Sequence, residues 1–234
     1  MMNKTLIVAG ASALLAASAD AAVVTSWNFN AANRAAVNAR GSTAIAVGGT
    51  ALGFATGSSL DTAGGTNRAM RIGNFNTATS ASGRQGAQFR ARTTGYDFIS
   101  VSFAIAGDSR SSRWGQFQYS TNGGQSFTTL TLPSGGRFRV RADGTYSRVA
   151  FDLAFADGVG NSSDFRFRLL AVKDPTSGRF IGANGTPMLG SATWNVDRVL
   201  VTGTFNGSNQ TTPAPGAIAL LAVAGAVGAT RRRA

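Results

Sequence analysis

The chain of 234 residues contains no cysteine, no histidine and no glutamate; all ten acidic residues are aspartates. Without cysteine there is neither a disulfide nor a thiol nucleophile, so a domain built from this chain is held together by packing alone. Without histidine, imidazole-based triads are excluded, and with both residues missing so are ordinary zinc and transition-metal sites. Acid–base chemistry is left to aspartate, tyrosine, lysine and arginine, and an oxygen-ligand calcium site is the metal chemistry still open. Two aspartates suffice for glycoside hydrolysis. Asp108 with Asp152, or Asp157 with Asp164, are the candidate pairs, and their spacing singles out neither. The composition therefore points to a protein that is not an enzyme.

What is present is cationic. The formal net charge is +12, and arginine supplies all but two of the 22 basic residues. In the first 21 residues Lys4 and Asp20 cancel, so setting aside the three terminal arginines leaves roughly +9 on the body of the chain. A positive surface favours polyanions such as acidic polysaccharide, lipopolysaccharide phosphates or extracellular DNA. Nucleic acid is the weakest of these expectations, because no basic helix or known binding module accompanies the charge.

The two ends read as targeting segments. Lys4 supplies a positive region, Leu6 to Ala17 an apolar one, and Ala19-Asp20-Ala21 a small-x-small cleavage site for signal peptidase. At the other end Pro213-Ala214-Pro215 leads into an apolar run from Gly216 to Thr230, closed by Arg231, Arg232 and Arg233. As a helix that run spans roughly 22 Å, against a hydrocarbon core of about 30 Å. A helix docked on a soluble domain would show a polar face, and Gly216 to Gly228 shows none. The arginines favour the cytoplasmic side, which places the rest of the chain outside the inner membrane. The expected organisation is a signal helix over 1–21, an ectodomain over 22–207, a linker over 208–215 and a C-terminal apolar helix with its basic cluster over 216–234.

Pro213 and Pro215, the apolar run and the terminal arginines together resemble the PEP-CTERM sorting signal of Gram-negative bacteria. The resemblance covers about the last 22 residues and departs from the family at Ala214, where glutamate is usual. It implies an exosortase-type processing enzyme as partner and a destination at the cell surface or in an extracellular polysaccharide matrix. It implies nothing about the chemistry of the ectodomain.

Between the ends, short runs of alternating apolar and polar residues are separated by glycine, serine and asparagine. Val101, Phe103 and Ile105 alternate with Ser102 and Ala104; Phe165, Phe167 and Leu169 alternate with Arg166 and Arg168. A period of two with one apolar face is a half-buried antiparallel strand. Such runs predict strands over 23–29, 43–47, 69–72, 87–92, 98–106, 115–120, 126–132, 138–141, 147–153, 165–172 and 192–205. The expected fold is all-β, an antiparallel two-sheet sandwich of jelly-roll type.

Two local patterns add to this. Ser120-Thr121-Asn122-Gly123-Gly124-Gln125-Ser126-Phe127 resembles the Asp-box hairpin, with Asn122 in the aspartate position. The box occurs once, so a sialidase-like propeller does not follow; a tight turn that returns Phe127 to the core does. Trp194 to Gly203 resembles the closing strand of carbohydrate-binding jelly rolls, which implies pairing with a first strand near Trp27-Asn28-Phe29-Asn30.

Candidate binding residues follow from these strands. Arg90 and Arg92, Arg137, Arg139 and Arg141, and Arg166 and Arg168 occupy outward positions, and form a cationic ladder if their strands adjoin. Trp114 is the candidate aromatic platform for a sugar ring. Asn30 and Asp197 are the candidate ligands of a structural calcium ion, and the oxygen-rich loop 157–164 is a second one. For both, capping of turns is the competing reading. The expectation is an exported, non-catalytic sandwich with a structural or adhesive role, or alternatively a module that binds acidic polysaccharide.

Overall fold

The computed structural model describes residues 21–38, 42–62, 65–77, 82–130 and 134–206. The predicted signal helix with Ala19, and the tail with Pro213, Pro215 and Arg231 to Arg233, lie outside the described residues. Among the described residues there is no helix.

Twelve strands follow one another along the chain. They are β1 (Ala22–Trp27), β2 (Ala44–Val47), β3 (Ala51–Thr56), β4 (Arg68–Gly73), β5 (Gln85–Ala91) and β6 (Tyr96–Gly107). The others are β7 (Trp114–Ser120), β8 (Thr128–Thr129), β9 (Arg137–Arg139), β10 (Ser147–Asp152), β11 (Phe165–Val172) and β12 (Trp194–Phe205). The first sheet runs β10-β6-β12-β4-β3, and the second β2-β5-β11-β7-β8, all antiparallel. Each sheet has one position shared by two short strands. Beside β12, β4 pairs with Trp194 to Val196 and β1 with Val199 to Gly203. Beside β7, β9 pairs with Trp114 to Gln116 and β8 with Gln118 and Tyr119.

The alternation in the sequence decides which face is buried. Phe89, Phe117, Phe165, Phe167 and Leu169 from the second sheet meet Met70, Ile72, Val101, Phe103, Val196 and Val201 from the first, all fully buried or nearly so. Aromatic rings run through this core as a chain. Trp27 lies edge-on to Phe89 at 5.3 Å, Phe89 stacks on Phe167 at 4.9 Å, and Phe167 stacks on Phe117 at 5.7 Å. Phe117 continues to Phe151 at 4.6 Å, and Phe138 meets Trp194 at 5.9 Å. Because the rings come from both sheets, they fix the sheets to each other. Burying each phenylalanine contributes about 1.5–3 kcal/mol.

The predicted pairing of first and last strands is present, with Ala22 opposite Gly203 and Trp27 opposite Val199. Two strand expectations are corrected. β3 was not among the predicted strands, and of the strand predicted over 126–132 the described residues up to Leu130 keep Thr128–Thr129 alone. Phe127 does not return to the core: it stays half-exposed, with the Arg168 guanidinium 3.5 Å from its ring centre.

Candidate cationic site on the second sheet

The register of the second sheet collects residues that are far apart in sequence. Arg166 on β11 lies between Arg90 on β5 and Ser120 on β7. One row along, Arg168 lies between Gln88 and Gln118, with Ile45 and Thr129 beyond them. These are outward positions, because the residues between them face the core. The next outward residues on β11, Leu170 and Val172, are apolar and buried, so the polar zone stops there.

Asp164 organises the arginines. Its carboxylate accepts from Arg90 Nε at 2.7 Å and from Arg166 at 3.2 and 3.1 Å. Hydrogen bonding from Arg166 is the largest influence and, with the positive charges of Arg166 and Arg90, holds this carboxyl below the usual carboxylate range against the opposing effect of burial. Arg168 donates to Gln88 Oε1 at 2.9 Å and stacks on Phe127. Burial, followed by the charges of Arg166 and Arg84, lowers the Arg168 pKa from its ordinary value. Asp164 takes up two guanidiniums, and Arg168 remains as a planar cation with a neutral partner.

The Asp-box-like hairpin forms one wall. Ser120 Oγ donates to Asn122 Oδ1 at 2.8 Å and accepts from the Gly124 N–H at 2.9 Å, while Asn122 Oδ1 accepts from the Ser126 N–H at 3.1 Å. Gly123 and Gly124 have φ of 70° and 83°, the left-handed region that glycine enters without a Cβ penalty. A Cβ at Gly123 would stand 2.9 Å from Asp164 Oδ2, and one at Gly124 3.2 Å from the Arg166 side chain. The turn thus needs glycine twice over, for its φ and for its closeness to the ion pair.

The predicted ladder forms in part. Arg90, Arg166 and Arg168 adjoin directly, whereas Arg137 and Arg139 stand one strand further out, across β7 from Gln116 and Trp114. Arg92 lies just past the end of β5, and Arg141, past β9, is bound to Asp143 at 2.7 Å. Trp114 faces outward beside Arg139, and its indole N–H donates to Asp174 Oδ2 at 2.9 Å. Sequence reasoning did not single out Arg84, Gln88, Gln118 or Asp164 for this site. Gln88 and Gln118 share the outward parity of the arginines, which was the signal available.

Asn30 and Asp197 clasp one loop. Asp197 sits where β12 passes from β4 to β1, at a register shift followed by Arg198 with φ of 45°. It is buried, and its oxygens accept from the Ser58 and Arg198 N–H groups, each at 2.7 Å. Asn30 donates to Asp61 at 3.0 Å and accepts from the Arg68 N–H at 2.8 Å. Burial raises the Asp197 pKa, and the two N–H donors oppose the shift. The groups aimed at these oxygens are hydrogen-bond donors, and among the described residues no three acidic side chains come together as for a metal. Here Asp197 and Asn30 act as turn-binding groups, with the Asp61 carboxylate beside them.

The loop 157–164 is likewise tied by its own polar groups: Thr93 Oγ1 donates to Val159 O, and Asn161 Oδ1 accepts from the Gly95 N–H at 2.9 Å. Of the candidate acid–base pairs, Asp108 follows β6 while Asp152 pairs with Ser100 near its start, so they stand at opposite ends of that strand. Asp164 is committed to Arg90 and Arg166.

No family model matches the chain, and no curated protein does. Among solved structures it is similar to the CBM22-1–CBM22-2 tandem of Paenibacillus barcinonensis Xyn10C, at 11% identity over 85% of this chain, with a TM-score of 0.48. The chain spans half the length of that structure. It is also similar to the xylan-binding CBM22-2 domain of the same protein, at 12% identity over 76% of this chain and 98% of that one, with a TM-score of 0.43. A third is the K1 cleaved adhesin domain of Lys-gingipain from Porphyromonas gingivalis, at 14% identity over 76% and 97% of the two chains, with a TM-score of 0.41.

Proposed function

We propose that this protein is an exported, non-catalytic adhesin of the cell envelope or extracellular matrix, which holds acidic polysaccharide on the outer face of its second sheet. The observation that carries this reading is the Arg90–Arg166–Arg168 cluster with Gln88 and Gln118 beside it. Guanidiniums offer paired donors matched to carboxylate, sulfate or phosphate; Gln118 offers neutral hydrogen bonding suited to hydroxyls, while the buried Gln88 holds Arg168 in place. The strands space the sites about 4.8 Å apart across the sheet, close to the length of one sugar residue. A linear polyanion lying across β5, β11 and β7 meets them in sequence.

Export and sorting are supported by the sequence of the two ends and by the position of the first described strand. β1 begins at Ala22, directly after the cleavage site proposed at Ala19 and Ala21. Removal of the signal segment would leave the sandwich whole. The partners of this reading are signal peptidase, an exosortase-type enzyme acting at Pro213 to Pro215, and the membrane, entered by the run before Arg231.

The binding reading is tested by co-sedimentation of the protein with polygalacturonate against neutral xylan, at rising salt. We expect retention by the anionic polymer alone, falling as salt screens the contact. Equal retention by both polymers, or by neither, overturns it. The address is tested separately by the intact mass of protein recovered from the cell surface, which is expected to lack residues 1–21 and the terminal arginines.

A further inference from the structure

Ala22 pairs with Gly203 and Tyr96 with Phe205, so β1 begins and β12 finishes at one end of the first sheet. Eight large apolar side chains are exposed among the described residues, and four of them gather at this end. They are Val23 at 49% exposure, Phe98 at 64%, Phe155 at 96% and Phe205 at 47%. Phe98 and Phe155 line one open cleft with Leu153 and Ala154. Phe205 lies edge-on to Tyr96 at 5.3 Å, two positions along β6 from Phe98. Phe98 holds a φ of 50°, a conformation bulky side chains rarely adopt. A strained, outward phenylalanine beside an almost wholly exposed one has no account in the packing of the core.

The position of this end supplies an occupant. Gly216, where the apolar run begins, lies ten residues beyond Asn206, a stretch that reaches at most about 36 Å. When that run enters a bilayer, the Phe98 end is the part of the sandwich nearest the membrane. Phenylalanine partitions to the boundary of headgroups and acyl chains, and a tether turns weak apolar contact into a persistent one. Asp97 and Asp157 line the same cleft, which disfavours an anionic lipid surface and favours a zwitterionic one.

We propose that, before the tail is processed, the Val23, Phe98, Phe155 and Phe205 end docks on a zwitterionic phospholipid surface, seating the sandwich on the membrane that its tail enters. This rests on the tail being membrane-inserted, and the test separates the two. The chain has no cysteine, so single labels are specific. The full chain is reconstituted in phosphatidylcholine–phosphatidylethanolamine vesicles carrying a doxyl-lipid quencher. A fluorophore is placed on Ala154→Cys in the cleft, on Asn184→Cys in a loop beyond the far end of β6, or on Ala224→Cys in the apolar run.

Quenching at 224 and 154 with none at 184 is the expected result, and Phe155→Ser in the Ala154→Cys background should abolish the quenching at 154. Phe155 is almost fully exposed, so this variant keeps the fold. Quenching at 224 with bright, water-accessible emission at 154 overturns the docking and leaves the inserted tail standing. Emission at 154 that is shielded from water yet unquenched by lipid assigns the patch to another copy of the chain and also overturns it. Absence of quenching at 224 removes the inserted tail, and the docking proposal with it.

Discussion

Outward positions on β5, β7 and β11 of the second sheet carry Gln88, Arg90, Gln116, Gln118, Arg166 and Arg168. On β6, β10 and β12 of the first sheet they carry Ser100, Ser102, Ala104, Ala150, Leu200 and Thr202, with Arg148 opposite Ala104 and Asp152 opposite Ser100 on β10. The inner faces of the two sheets are alike, packed with aromatic and branched residues against each other. Three guanidiniums meet on the adjacent strands β5 and β11 of the second sheet, whereas Arg148 and Arg71 of the first sheet stand apart, on β10 and β4 with β6 and β12 between them. The contrast lies in the clustering of the cations, which suits the proposed polyanion.

The largest expected effect is on what the sheets share. Phe167→Ala removes the ring that touches Trp27, Phe89, Phe117 and Phe165, and should cost about 3–5 kcal/mol. The midpoint of chemical denaturation reads this, and an unchanged midpoint would mean that the rings do not join the sheets. Next, Arg166→Ala and Arg168→Ala should each weaken polygalacturonate about tenfold, the loss of one charged hydrogen-bonded contact of about 1.4 kcal/mol. Arg71→Ala on the first sheet should leave binding unchanged. Equal losses from both sheets in a titration would erase the contrast between the faces.

A smaller effect, of opposite sign, comes from Asp164. Asp164→Asn frees Arg90 and Arg166 from their internal anion and should tighten polyanion binding about threefold. Its cost in stability should be about 1 kcal/mol or less, since the pair is partly solvated. Weaker binding would show that Asp164 acts by orienting the arginines.

The smallest effects are in pH dependence, where the two carboxylates act oppositely. Asp164 is held below the ordinary 3.8, so the stability it adds is present above that value and is lost as pH falls through its folded pKa. Asp197 is raised above 3.8, so the folded protein keeps that proton longer than the unfolded chain. Its stability is full below 3.8 and declines as pH rises through the folded pKa. Thermal melts of Asp164→Asn should flatten the acid limb, and those of Asp197→Asn the decline above about pH 4. Calcium or a chelator should leave the wild-type midpoint where it is.

Most of the strands were legible because each carries its own period of two. β6 and β11 alternate over Ile99 to Phe103 and Phe165 to Leu169 before running continuously buried, and β12 buries six of its twelve residues, patterns that no helical spacing fits. β3 was missed because Ala51-Leu52-Gly53-Phe54-Ala55 holds two apolar residues among alanine and glycine, and as an edge strand it is only half-buried. Phe127 misled for a related reason. An aromatic after a turn reads as core, yet what decides its direction is Arg168, forty-one positions away.

The sequence alone determined that the folded part is a disulfide-free β-sandwich without imidazole or thiol chemistry. Those conclusions depend on local alternation and on residues that are absent, and neither needs a neighbour in space. Only the tertiary structure decided that Arg90, Arg166 and Arg168 meet while Arg92 and Arg141 stand apart, and that Asp164 binds two of the three. Strand order and register are set by long-range packing of the inner faces. The composition of the outer face is a consequence of that packing, and no single strand contains it.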